Sequence, residues 1–296
     1  MPTTSMPPPS SPPPIPTTGS PTTADRESGP TRTAGPPAAR FTGAVHSEWT
    51  KFRTVPSTFW TLLVAPALGV GFGVLLSFAG ARSYATLTPA DQASFDPTAT
   101  SLAGHVMAQL AIAVLGVLII TSEYATGMIR TSLTAVPRRA RLLAAKALVL
   151  TIVALAVSEV IEFGAFFAGQ SVLAGQGAPH AGLGEPHVLR AVIGAGLYLA
   201  VVGLLGVAVG TLIRATAGAI ATMVAVTLLV PIFTPALPES WARVVGRFWP
   251  TMAGRQIMAV RPSAHTLGPW TGFGLMCAAV GVVLGAAFLA FGTRDA

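Results

Sequence analysis

The sequence predicts an all-α integral membrane protein: six transmembrane helices, an N-terminal elbow helix in the membrane interface, and short outer helices between helices five and six. Three observations predict it. The 296-residue chain is 52% hydrophobic and only 10% charged, with a mean hydropathy of +0.65, outside the range of soluble globular domains. Six segments stay apolar for the roughly 20 residues that a helix needs to cross a hydrocarbon core. These runs are continuously apolar rather than alternating, which excludes a closed β-barrel.

Residues 1–40 carry twelve of the 25 prolines, many Ser and Thr, and few large apolar side chains. Such a segment cannot bury a core, so it is expected to be a disordered tail. Its start lacks the basic residues and short apolar run of a cleaved leader, so the tail is expected to remain, on the cytoplasmic side. Residues 41–296 are expected to form the membrane domain. Before the first span, Val45, Trp49 and Phe52 share one helical face, with Glu48 and Lys51 outside it. This reads as an inner-leaflet elbow helix or as a charged flank with a Trp anchor, and Pro56 separates it from the first crossing helix.

The spans are placed near 58–80, 102–121, 147–169, 189–212, 216–236 and 269–292. Gly69 and Gly73, Gly206 and Gly210, and Gly281 and Gly285 each form a GxxxG spacing within a span, which lets helix backbones approach closely. With the N terminus inside, ten basic residues flank the cytoplasmic ends, from Arg40, Lys51 and Arg53 through Arg130, Arg138, Arg139, Arg141 and Lys146 to Arg214 and Arg294. Six lie opposite: Arg82, Arg190, Arg243, Arg247, Arg255 and Arg261. The positive-inside bias therefore puts both termini in the cytoplasm of a multi-pass cell-membrane protein, with residues 237–268 holding most of the outward charge. In that loop Trp241, Val244, Val245 and Phe248 share one helical face while Arg243 and Arg247 point away, as in a helix lying in the outer interface. Pro250 is expected to break it before a second short helix over Ala253 to Val260.

Several chemistries find no support. The basic residues cluster at span ends, where topology accounts for them, so the high isoelectric point does not argue for nucleic acid. Cys277 is the sole cysteine and lies in a span, so no intrachain disulfide or thiolate metal site can form. The chain's two lysines, Lys51 and Lys146, follow Thr50 and Ala145, so no Gly-Lys phosphate loop exists. Neither HExxH nor GxSxG occurs, and His180 and His187 have no clustered partners for a metal. No nucleophile-base or metal constellation is readable, so an enzyme is not expected.

Two features invite function. Glu159 and Glu162 stand one helical turn apart, deep in the third span, and no intramembrane Lys or Arg offers an obvious counter-ion. They read as a proton relay, a cation site or a contact to polar substrate, or else as an interior pair bonded to groups such as Gln109 or Gln170. The second feature is EYATGMIRTSLTAVPRRARLLAAK, Glu123 to Lys146, a basic interruption between spans two and three.

Within that stretch, Glu123, Gly127, Leu133, Pro137, Arg138, Arg139, Arg141, Leu142, Leu143 and Lys146 follow an acidic-Gly-apolar-Pro-basic-Leu-Leu-Lys order. This resembles the membrane-spanning permease subunit of type 2 ATP-binding-cassette exporters, which carry a similar run after the second of six helices. HSEWTKFRTVPSTFW, residues 46–60, is similar to the lead-in segment of actinobacterial members. The resemblance implies a dimer of permeases, homo- or heteromeric, seated on a separate ATP-binding subunit. ATP is then bound by that partner, and no cofactor by this chain. It further implies that Glu123 to Lys146 couples the two: Gly127 permitting close backbone approach, Pro137 breaking the helix, and the arginines meeting anionic headgroups or ATPase carboxylates. For the arginines a topology signal alone remains the other reading. The alternative function is a stand-alone proton-coupled carrier using Glu159 and Glu162.

Overall fold

The structure, a computed structural model, describes residues 41–54, 56–129, 139–261 and 266–293. The expected tail of residues 1–40 lies outside the described residues. All regular structure within them is helical. Six helices are long and apolar enough to cross a membrane: Phe59–Tyr84, Pro97–Ala125, Arg139–Gly175, Val188–Ile213, Thr216–Ala236 and Pro269–Thr293. The chain is thus a multi-pass membrane protein.

The elbow helix is α1, Phe41–Thr54, and α2, Pro56–Tyr84, is the first span. Two short helices follow, α3 (Pro89–Ser94) and α4 (Pro97–Ser101). Each starts as helix starts do: Thr88 and Asp96 accept the backbone N–H groups of Asp91 and Ala99, and a proline occupies the first turn. A tight turn over Leu102–Gly104 then leads into α5, His105–Ala125. Gly104 sits where any Cβ would strike the backbone of Gly69, so the second span crosses the first at backbone contact.

The third span, α6, runs Arg139–Gly175, 37 residues. At 1.5 Å per residue it is about 55 Å long, well beyond a hydrocarbon core of about 30 Å, so its ends project past the membrane. The fourth, α7 (Val188–Ile213), is the central helix, with 78% of its apolar window buried against 17% for each of the last two spans. It packs on α5, α6 and the sixth span, α12 (Pro269–Thr293), around Ile112, Leu150, Ile161, Tyr198 and Leu199. The first two GxxxG spacings serve helix packing: Gly73 of α2 meets Ser101 and Ala165, and Gly206 of α7 meets Ala113 and Gly116. Gly281 and Gly285 face open space instead.

The fifth span is broken for a chemical reason. Helix α8 (Thr216–Val224) passes through one π turn, Ala225–Leu229, into the short α9 (Val230–Phe233). Pro231 has no N–H, so the carbonyls four and five residues earlier lose their donors. Side chains replace them: Gln109 Nε2 donates to the Thr227 carbonyl at 3.5 Å, and Trp249 Nε1 to that of Val226 at 3.0 Å. Gln109 in turn accepts from the buried Tyr198 hydroxyl at 2.9 Å. In a membrane such replacement is what makes a broken helix tolerable.

Beyond the fifth span come α10 (Glu239–Phe248) and α11 (Pro250–Gly254), followed by a tight turn over Arg255–Met258. The second outer helix starts three residues earlier than expected. Pro250 opens it at the first position, where a missing N–H costs nothing, rather than merely ending its predecessor. Arg190 fastens this region to the start of α7, donating to the Ile257 and Ala259 carbonyls at 3.0 and 2.8 Å.

Candidate functional site

Two constellations of buried charge stand out, one at the α1 end of the bundle and one inside the third span. The first is a ring of four. Lys146 Nζ donates to Glu48 Oε2 at 2.7 Å and to Glu123 Oε1 at 2.6 Å. Lys51 Nζ donates to Glu48 Oε1 at 3.0 Å and to Glu123 Oε1 at 2.9 Å. Positive and negative groups alternate around the ring, and its formal charge is zero. Such alternation offsets the several kcal/mol that each ion loses on leaving water.

Three elements bring the ring together. On α1, Ala44 and Glu48 lie one turn apart and both are buried, so this face, rather than the Trp49 face, meets the bundle. Glu48 lies off the Val45 and Trp49 face and meets its buried partner Lys146 on α6. Glu123 sits in the last turn of α5, and Lys146 two turns into α6, where its side chain is 1% exposed. On Lys51, burial opposes the charge, but the hydrogen bond to Glu123 and the two carboxylates outweigh it and hold its pKa above the ordinary lysine value. The next residue, Tyr124, lies under the Arg214 guanidinium, 5.2 Å from its ring centroid, which ties in the turn after α7.

Of the residues expected to couple to a partner, the structure brings Glu123 and Lys146 together and buries both, so neither is free to meet an external carboxylate or headgroup. Gly127 adopts a left-handed φ of +71° with open space around it. This φ suits a residue that ends α5. Arg139 and Arg141, at the start of α6, are half-buried. Pro137 and Arg138, like Arg130, lie outside the described residues.

Inside the span the picture reverses. Glu162 is fully buried and neither carboxyl oxygen has a hydrogen-bond partner among the described residues. Glu159, half-buried, leaves Oε2 without one and packs its carboxyl group on Gly196 of α7, where a Cβ would stand 2.5 Å from the carboxyl carbon. Ser158, one turn before Glu162, is buried with its hydroxyl likewise unbonded. The expected partners are engaged elsewhere: Gln109 with Tyr198 and Thr227, and Gln170 with Pro97, Ser101 and Ala181. Among the described residues no group of three His, Cys, Asp or Glu gathers as a metal site.

Sequence reasoning missed Glu48 and Lys51 as site residues. A signal existed in the chain's two lysines, against sixteen arginines, which are the two cations of the ring. No protein-family model matches this chain, and no curated protein matches it.

Proposed function

We propose that this multi-pass protein is the permease subunit of an ATP-driven exporter of the type 2 ATP-binding-cassette kind. It would form the substrate path as a dimer, catalyse no covalent reaction itself, and take its energy from a separate ATP-binding subunit on the α1 side, which on this reading is the cytoplasmic side of a bacterial cell membrane. The observation that carries this reading is the ionic ring. It joins the elbow helix, the end of the second span and the start of the third into one unit, beside the Glu123 to Lys146 segment on which the resemblance rests. A push delivered to Gly127–Arg141 by a partner would then move both spans and the elbow together, as alternating access requires.

The test is partner capture. The full chain, tagged and extracted from its own membranes, is expected to bring down an ATP-binding subunit, and Arg139→Glu/Arg141→Glu to lose it while the bundle stays folded. A second reading rests on Glu162, whose carboxyl oxygens have no hydrogen-bond partner among the described residues: a carrier that moves protons through Glu162 and Glu159. Transport by the purified chain alone in vesicles, driven by a pH gradient and abolished by Glu162→Gln, would select that reading and remove the first.

A further inference from the structure

The outward-charge anomaly at residues 237–268 has a structural counterpart at the end of the bundle opposite the ring. Glu123 closes α5 beside the ring, whereas Gln109, near the start of α5, meets the π turn that also receives Trp249 and Thr251. Helices α10 and α11 therefore sit at the far end. Here α10 is strongly amphipathic, yet its apolar face is bare: Trp241, Val244 and Phe248 are 68%, 58% and 51% exposed. It continues directly from Ile232, Phe233 and Leu237, exposed apolar residues at the end of the fifth span.

Arginines flank this face. Between α10 and the segment after it lies a cleft of about 750 Å³ lined by Arg243, Arg247 and Arg255 together with Phe248, Met252 and Gln256. Among the described residues the acid near the three guanidiniums is Glu239, 3.8 Å from Arg243, and both of those side chains are largely solvent-exposed. Arg247 stacks on Phe248, and Arg255 is half-buried with no ion-pair partner among the described residues. By contrast Arg261, the fourth arginine of the region, donates to the Ala93 carbonyl and stands apart from the cleft.

We infer that this cleft binds the headgroup of an anionic phospholipid from the leaflet on the α10 side. The guanidiniums take the phosphate, whose charge no headgroup cation offsets, and the acyl chains lie along Trp241, Val244 and the end of the fifth span. Guanidinium is the side chain suited to phosphate, a helix with one apolar and one basic face seats at the headgroup level, and interfacial Trp anchors it there. Three arginines with one exposed acid among them complement an anion, and the bare apolar face beside them complements a chain. The inference does not depend on the exporter reading and survives its failure.

The experiment is native mass spectrometry of the full-length protein in detergent, titrated with phosphatidylglycerol or phosphatidylcholine. Wild type is expected to retain phosphatidylglycerol preferentially by about tenfold, and Arg243→Ala/Arg247→Ala/Arg255→Ala to lose most of that preference. Should the triple alanine variant aggregate, the corresponding triple lysine variant, which keeps charge but not the bidentate fork, is expected to show a several-fold smaller preference than wild type. Equal retention of the two lipids by wild type, or an undiminished preference in the variants, would overturn the proposal. So would inorganic phosphate displacing phosphatidylglycerol at equal concentration, which would mark the site as one for soluble anions.

Discussion

The ring at the α1 end and Glu162 of the third span use the same residue type at similar burial, with opposite outcomes. Glu123 and Glu48 each meet two ammonium groups within 3.0 Å, whereas Glu162 meets no partner among the described residues. The difference lies in where a counter-ion can reach. Lys146 is close enough to the start of α6 to meet a carboxylate on α5 and one on α1. Glu162 is more than four turns further along the same helix, inside the span, where no lysine or arginine lies. Buried charges that pair serve as a structural fastener, and a buried carboxyl without a partner is a cost to the fold.

Breaking the ring should have the largest effect. Lys146→Met removes the buried cation and leaves two buried carboxylates sharing only the part-exposed Lys51, and is expected to cost about 3–5 kcal/mol, read from thermal or denaturant unfolding in detergent. Replacing all three as Lys146→Met/Glu48→Leu/Glu123→Leu should recover most of that loss, because apolar packing substitutes for the ions. A single variant as stable as wild type would show that the ring carries no structural weight.

The opposite sign is expected inside the span. Glu162→Leu removes an unbonded carboxyl from a packed interior and should stabilise the fold by about 1–3 kcal/mol, seen as a higher unfolding temperature. Destabilisation instead would mean that Glu162 is satisfied within the bundle, and the contrast between the two sites would collapse.

The smallest effect concerns Lys51, whose side chain is 29% exposed and therefore screened by solvent. Because its folded pKa is raised, its contribution is fully present below the unfolded lysine value of about 10.4 and is lost as the pH climbs through the higher folded value. The gap in unfolding temperature between wild type and Lys51→Met should thus be constant from neutral pH to about pH 10 and close above it. A gap unchanged at higher pH would assign the role of Lys51 to packing of its stem rather than to charge.

The spans illustrate how far hydropathy reaches. Ranges of 189–212 and 269–292 correspond to Val188–Ile213 and Pro269–Thr293, because there the apolar run and the helix end together. The range 147–169 falls short of Arg139–Gly175 at both ends. Arg139 and Lys146 are helical but polar, and hydropathy measures the hydrocarbon-facing stretch rather than the hydrogen-bonded helix. The amphipathic α10 was legible too, since its pattern is local.

By itself, then, the sequence determined six stretches long and apolar enough to cross a membrane, their approximate places and where the carboxylates fall along them, since apolar length and helical spacing are local properties. Only the tertiary structure decided which charges meet. Glu48 and Lys146 are 98 residues apart, and their 2.7 Å contact exists because α1, α5 and α6 converge, while the same packing leaves Glu162 without a partner among the described residues. Burial turns a charge into a fastener or an unpaired cost according to its neighbours in space, and those neighbours are set by how the helices pack.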